Sequence, residues 1–150
     1  MTSLNFIKAH GLGNDFVIFT ELSYSKINTK LVKHICDRKT GVGCDLAVFL
    51  KKSDKNYVDI VLRFFNRDGS EAEICGNALR CIGKYYFEKF NKSNITVETH
   101  SGLIDVEKYN QDKIAVDLGK PKLEWEKIPL SFETDTMNLN LDFKYLKGGF

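Results

Sequence analysis

Apolar and polar positions along the chain alternate with a period of two in several short runs, and switch to helical spacing twice. The longest alternating run, Tyr57 to Asn66 (YVDIVLRFFN), sets Val58, Ile60, Leu62 and Phe64 on one face and Asp59, Val61, Arg63 and Phe65 on the other. That pattern predicts a strand largely buried on both sides. Leu4 to Ala9 (LNFIKA) and Phe16 to Thr20 (FVIFT) are β-rich runs on either side of HGLGND, a connection too rich in glycine for helix or strand. Leu46 to Leu50 (LAVFL) is a further strand. Ile95 to Thr99, Leu103 to Lys108 and Lys113 to Leu118, parted by Ser-Gly and Asn-Gln-Asp turns, predict an antiparallel meander. Leu31, Val32 and Ile35 fall at helical spacing in a segment that Asn28 or Thr29 can cap and that runs through Asp37.

The second helical stretch, Asn77 to Phe90, places Ala78, Leu79, Ile82, Tyr85, Tyr86 and Phe90 at three- and four-residue intervals, with Cys81, Gly83 and Phe87 filling much of the remaining circumference. A helix apolar on most sides belongs in an interior. The fold class expected is therefore α+β, a mixed and largely antiparallel sheet wrapped around a central buried helix. Beyond Pro121 the pattern weakens; Trp125, Ile128 and Leu130 read as anchors of an extended segment, Leu139 to Tyr145 as a last strand and Lys147 to Phe150 as a linker.

A chain of 150 residues fits a single domain, and its 43% hydrophobic and 28% charged residues are those of an ordinary globular protein. The formal charge of +2, with both signs interspersed, gives no reason to expect a nucleic-acid or membrane partner. No N-terminal basic stretch precedes an apolar run, and no run reaches the roughly 18 residues of a membrane span, so a cytoplasmic location is expected. The four cysteines, Cys36, Cys44, Cys75 and Cys81, lack the short paired spacing of a zinc site and are expected to be reduced thiols. No zinc site is expected on that spacing.

Candidate chemistry gathers in RFFNRDGSEAEICGNALRCIGKYY, residues 63 to 86. There a strand ends in an Asp68-Gly69 turn, a polar return carries Glu71 and Glu73, and Cys75-Gly76-Asn77 opens the apolar helix. A thiol at a helix N-terminus meets outward-pointing N–H groups and the positive end of the helix dipole, which favours its thiolate. Nucleophilic attack and proton transfer are both open to Cys75 on that basis. Cys81 sits within the apolar surface, is assigned to packing, and is expected to react more slowly. His34 reads as a solvent-facing helix residue and His100 as a turn residue. In the N-terminal connection, Gly11 and Gly13 allow a tight turn or a close ligand approach, while Asn14 and Asp15 offer side-chain hydrogen bonds. The Gly-rich segment RKTGVGCD, residues 38 to 45, is no phosphate loop, since no G-K-[ST] follows and a strand comes next.

Three of these stretches together resemble the diaminopimelate epimerase family: HGLGNDF from His10, KTGVGCD from Lys39, and FFNRDGSE from Phe64 followed by Cys75-Gly-Asn77 and Arg80-Cys81. The match spans Asn5 to Tyr86 most distinctly. The resemblance implies a cofactor-independent epimerase that interconverts LL- and meso-diaminopimelate with two cysteines on opposite faces of the α-carbon. By the same resemblance Cys75 is one acid/base, Gly76 and Asn77 bind the α-carboxylate, and Asn14 and Asn66 bind polar groups of the substrate. Leu46 stands where many members carry a substrate-contacting glutamine, and leucine cannot make that hydrogen bond. Ala78-Leu79 is a second departure, a packing change just inside the helix.

Family members run to about twice this length as two similar domains, with the second cysteine in the C-terminal one; that expectation makes residues 1 to 150 a single N-terminal domain and half a site. Its partner would be a C-terminal epimerase domain, in cis or in trans, and a homodimer over the uncovered surface is a further expectation. Competing readings are a noncatalytic remnant or interaction domain, and another member of the superfamily acting as a proline racemase-like or phenazine-biosynthesis-like isomerase.

Overall fold

The computed structural model describes residues 4–20, 24–111, 113–128 and 130–139. It divides into two units, Met1–Leu118 and Gly119–Phe150. Within the second, the described residues include a single 3-10 turn at Trp125–Lys127, closed by Lys127 on Glu124, where an extended segment was expected. The strand expected from Leu139 to Tyr145 lies, apart from Leu139, outside the described residues, as does the linker expected at Lys147 to Phe150.

The first unit is one curled mixed sheet with a helix on each face. In chain order its elements are β1 (Phe6–Gly11), β2 (Asn14–Phe19), α1 (Thr29–Cys36), β3 (Leu46–Lys52), β4 (Ile60–Asn66), β5 (Glu71–Ala72), α2 (Gly76–Phe90), β6 (Asn94–Thr99), β7 (Gly102–Lys108) and β8 (Ile114–Val116). The strands lie in the order β1-β2-β3-β4-β6-β7-β8, with β5 hydrogen-bonded to β4. Two neighbouring pairs, β2 with β3 and β4 with β6, run parallel, and the others are antiparallel. The expected meander is β6-β7-β8.

Period-two alternation sorts the middle strands into two cores. Phe16 and Ile18, Val48 and Leu50, and Ile60, Leu62 and Phe64 face α2 with Leu79, Ile82 and Phe87. Val17 and Phe19, Ala47 and Phe49, and Phe65 face the opposite way, against Val32, Ile35 and Cys36 of α1. Cover on both sides is why these strands read as nearly continuous apolar runs.

Four local features depart from the sequence expectation. The N-terminal connection is shorter than six residues: β1 and β2 pair up to Gly11 opposite Asn14, leaving a two-residue turn in which Leu12 and Gly13 take φ of 56° and 88°. Both central residues are left-handed, as a hairpin of primed type requires. The strand begun at Tyr57 starts at Ile60. The polar return forms β5, fastened to β4 by a two-point Arg63–Glu71 pair at 2.5 and 2.7 Å. Finally, α2 buries one face rather than its whole circumference. Ala78, Leu79, Ile82, Gly83 and Phe87 are buried, whereas Lys84, Glu88, Lys89 and Phe90 are exposed. The aromatic residues of its last turns tolerate this because they pack on each other and under Lys89, with Tyr86 and Phe90 centroids 4.4 Å apart.

The sheet curls far enough that α2 packs against β1 at one edge and against β6, β7 and β8 towards the other. Gly83 permits the close approach on the β7–β8 side: a Cβ there would lie 2.7 Å from Val106 Cγ1 and 3.3 Å from Ile114 Cγ2. Alanine in a helix interior ordinarily gains about 1 kcal/mol over glycine. Gly83→Ala is expected instead to destabilise the fold by about 1–3 kcal/mol through overpacking against stiff β-branched side chains, measured by urea denaturation. A gain in stability would contradict this packing.

Candidate active site

The open ends of four strands and the first turn of α2 gather at one end of the sheet. Leu46 at the start of β3 pairs with Phe16 of β2 on one side and with Asn66 at the end of β4 on the other. The β1–β2 turn lies beside them, and β5 leads into α2. Cys75 is the residue before α2, in extended conformation, and its side chain does not cap the helix. The first intrahelical bond runs from Leu79 N–H to Cys75 O (3.0 Å), so the N–H groups of the first turn have no partner within the helix.

The hairpin brings Asn14 directly to this helix mouth. Cys75 Sγ lies 3.7 Å from Asn14 Oδ1, and Asn77 Nδ2 lies 3.5 Å from the same oxygen. Gly11 makes that approach possible, since a Cβ on it would sit 3.2 Å from the Asn77 carbonyl oxygen. Gly76 is different. A Cβ there would meet nothing closer than Leu118 Cδ1 at 3.5 Å, an ordinary contact, so internal packing does not demand its glycine. Leu12, 91% exposed at the turn, and Leu118, 60% exposed beside Gly76, form an apolar rim.

Behind Asn14 stands a charged cluster that holds the hairpin to the loop before β3. Asp15 N–H donates to Asp45 Oδ2 (3.1 Å) and Asp45 N–H to Asp15 Oδ1 (3.0 Å). The Arg38 guanidinium contacts both carboxylates, at 2.7 Å from Asp15 and 2.8 Å from Asp45, and Lys8 reaches Asp15 at 2.6 Å and the Gly43 carbonyl. Arg38, with help from Lys8 and against the cost of partial burial, holds the Asp15 carboxyl well below the usual carboxylate range. Asn14 Nδ2 donates to Asp45 Oδ2 (3.2 Å), tying the candidate site to this cluster.

Two of the other thiols lie on the opposite face of the sheet, and the third, Cys81, comes close to the hairpin, its sulfur 3.6 Å from where a Cβ on Gly11 would sit. Cys36 and Cys44 are buried on the α1 side of the sheet with sulfurs 3.5 Å apart. Cys81 packs against the α2 core, and burial pushes its thiol up, with Arg80 pulling the other way. No group of three or more His, Cys, Asp or Glu residues placed to hold a metal ion occurs among the described residues. A hollow of about 250 Å³ lined by Lys84, Phe87, Glu88, Lys92 and Lys108 lies at the far end of α2 and does not reach Cys75. What marks the helix mouth is the convergence of Cys75, Asn14 and Asn77.

Residues 6–124 match the family model described as diaminopimelate epimerase. The chain belongs to the diaminopimelate epimerase family. It is 43% identical over 145 residues to the diaminopimelate epimerase of Carboxydothermus hydrogenoformans, covering 93% of this chain and 52% of that one. It is 41% identical over 140 residues to that of Gluconobacter oxydans, with the same coverage of each. The chain therefore spans about half the length of these family members. Among solved structures, a hydroxyproline epimerase from Agrobacterium vitis superposes with a TM-score of 0.55 at 13% identity, covering 71% of this chain and 37% of that one, which is a likeness of fold.

Of the residues that the diaminopimelate epimerase resemblance singles out, Cys75, Gly76, Asn77 and Asn14 come together. Asn66 lies at the same end of the sheet but donates its side-chain amide to Ser70 Oγ (3.0 Å) in the β4–β5 turn. Leu46 packs against the core. Two residues without a role in the sequence reading prove to be part of the cluster: Asp45, on Asn14, and Arg80, whose guanidinium donates to Asn77 Oδ1. The second had a visible signal, since residues three apart on a helix are neighbours. The first had only its place at the end of the KTGVGCD stretch, because Asp45 reaches Asn14 across 31 residues of chain.

The sign of the pH dependence follows from Asp15. Its folded-state affinity for a proton is lowered, so its contribution to stability is complete above the ordinary carboxylate range and is lost as the pH falls below about 4. Urea midpoints taken from pH 7 down to pH 3 are expected to fall more steeply for the native chain than for Asp15→Asn. Equal slopes would show that the Arg38–Asp15 cluster adds nothing to the fold.

Proposed function

We propose that this chain is the N-terminal domain of a diaminopimelate epimerase, supplying through Cys75 one thiol of a cofactor-independent, two-thiol proton transfer. The reaction interconverts LL- and meso-2,6-diaminopimelate in the cytoplasm, on the route to lysine and peptidoglycan precursors. The observation that carries this reading is the convergence of Cys75 Sγ, Asn14 and Asn77 at the uncapped first turn of α2, in a chain of this family.

The chemistry accounts for the residue types. An amino-acid α-proton is weakly acidic, and inversion needs one group to remove it and a differently protonated group to return a proton to the opposite face. Thiols titrate near enough to neutrality to exist in both forms. As the proton leaves, negative charge spreads into the α-carboxylate. The free N–H groups of Gly76 and Asn77 at the positive end of α2 receive that carboxylate and become more favourable as its charge grows. Asn14 and Asn66, at the same end of the sheet, take polar groups of the substrate. Leu46 offers that substrate an apolar wall instead of a hydrogen bond.

The second thiol belongs to a C-terminal domain, in cis or in trans, that covers the Leu12–Leu118 rim. Support comes from the half-length match to the family members and from the placement of Cys36 and Cys44 on the opposite face of the sheet from the helix mouth. Occupancy of the rim by a second copy, a homodimer, is the other arrangement compatible with the same exposed residues. The fuller form of the fold, a sheet wrapped around α2 as its central helix, goes with this reading and is supported by the contacts of α2 with both ends of the sheet.

Conversion of LL- into meso-diaminopimelate, followed by chromatography that separates the two diastereomers, tests the reading. The 150-residue chain by itself is expected to give no appreciable conversion, because only one face has an acid/base. Mixed with the separately produced C-terminal half of the Carboxydothermus relative, it is expected to gain conversion that Cys75→Ala lowers by about a hundredfold or more. Rapid conversion by the chain alone, or undiminished conversion by Cys75→Ala in the mixture, would contradict it.

A further inference from the structure

The polar groups around Cys75 form a chain of hydrogen bonds that all point the same way. Arg80 donates to Asn77 Oδ1, Asn77 Nδ2 donates to Asn14 Oδ1 (3.5 Å), and Asn14 Nδ2 donates to Asp45 Oδ2 (3.2 Å). A guanidinium, which can only donate, stands at one end. A carboxylate stands at the other, with Arg38 on its second oxygen at 2.8 Å and the Asp15 N–H on its first at 3.1 Å. Either amide taken alone could be turned over, because its two ends are nearly the same shape. Between these anchors neither can: turning Asn14 would set its oxygen against the Asp45 carboxylate, and turning Asn77 would set its NH₂ against Arg80.

The geometry points to Asp45 and Arg80 as positioning residues that fix the direction of both amides, so that Asn14 presents its carbonyl oxygen to the Cys75 sulfur as the acceptor for its S–H. The sulfur lies 3.7 Å from that oxygen. An oxygen there stabilises the thiol, whereas the N–H groups of the helix mouth stabilise the thiolate, so the two features oppose each other at one atom. Under the epimerase reading above, on which this inference rests for its meaning, the amide chain keeps Cys75 charged with the proton it delivers. The charged and titratable groups around this chain are Arg80 and Cys81 on α2, Lys8 and Asp15 on the hairpin, and Arg38 and Asp45 in and after the following loop.

The test needs neither substrate nor a second domain. The rate of alkylation of Cys75 by iodoacetamide is measured on the 150-residue chain from pH 5 to pH 10, with mass spectrometry separating Cys75 from the half-buried Cys81 as internal reference. Access to the sulfur sets the plateau of such a profile and protonation sets its midpoint. Asp45→Asn frees Asn14 to turn and is expected to move the Cys75 midpoint down, raising the rate near neutral pH about three- to tenfold, with Cys81 unchanged. Loss of the Asp45 charge would push in the same direction through space, so the decisive comparison is made in an Asn14→Ala background. There the same Asp45→Asn substitution is expected to change the rate by less than about twofold, because its route to the sulfur is gone.

A shift of equal size with and without Asn14 would overturn the proposal in favour of a plain charge effect, and an unmoved midpoint in folded Asp45→Asn would overturn it outright. Should Asp45→Asn unfold the chain, seen as Cys81 reacting as fast as in urea, the single Asn14→Ala variant decides. Its midpoint is expected to fall, and a changed plateau with an unchanged midpoint would refute the hydrogen bond to sulfur. Failure of this test leaves the epimerisation experiment free to succeed, and the reverse holds as well.

Discussion

The candidate site depends on how closely the β1–β2 hairpin sits on the first turn of α2. At Gly11 the backbone comes so near that a single added carbon would press on the Asn77 carbonyl at 3.2 Å. That seat carries Asn14, three residues on, to within reach of Cys75 and Asn77. It also explains why a sheet strand and a helix end, 61 residues apart in the chain, share one polar cluster. The seat is held from both sides: α2 is pinned by its buried face to β1 and to the β6–β8 end of the sheet, and the hairpin is pinned by Arg38 and Lys8 through Asp15 and Asp45.

Those two supports differ in kind. The buried face of α2 contributes through apolar area withdrawn from water, which carries no charge to be titrated or screened. The charged cluster is half open to solvent, with the Arg38 side chain 47% exposed, so its attraction is screened and its net worth to stability is small. Its value lies in direction. Carboxylates and guanidinium groups cannot exchange donor and acceptor roles, and they transmit that constraint through Asn14 and Asn77 to the vicinity of the sulfur.

Much of the fold was legible in the sequence because it is written in short-range periodicity. The continuous apolar runs Phe16–Phe19 and Ala47–Leu50 and the alternation in Ile60–Phe65 mark strands, and the structure places a core on each side of them. Asn28 capping α1 through the Leu31 N–H (2.9 Å) and the Asp68-Gly69 turn follow from local chemistry too. The parallel neighbours β2–β3 and β4–β6 were not legible, since nothing local says which edge a returning strand will choose. Nor was the exposure of Lys84, Glu88, Lys89 and Phe90: a count of apolar residues around a helix overstates burial when tyrosines and a terminal phenylalanine are among them. Of the candidate site, Cys75, Gly76 and Asn77 are contiguous and were visible as a motif. Asn14 was visible as a hydrogen-bonding residue of a Gly-rich connection but needed the resemblance for a role, and the contact of Asp45 with it needed the register of β2 against β3, which only the folded chain supplies.

The central claim is that the mouth of α2, with Asn14 laid against it, is half of an amino-acid binding site. Nitrogen-15 NMR of the labelled chain during titration with meso-diaminopimelate tests this most directly, because it reads binding without requiring turnover. The backbone amides of Gly76 and Asn77 and the side-chain amides of Asn14 and Asn77 are expected to shift together, with one dissociation constant. Shifts confined to the lysine-lined hollow around Phe87, at the opposite end of α2, would contradict the claim.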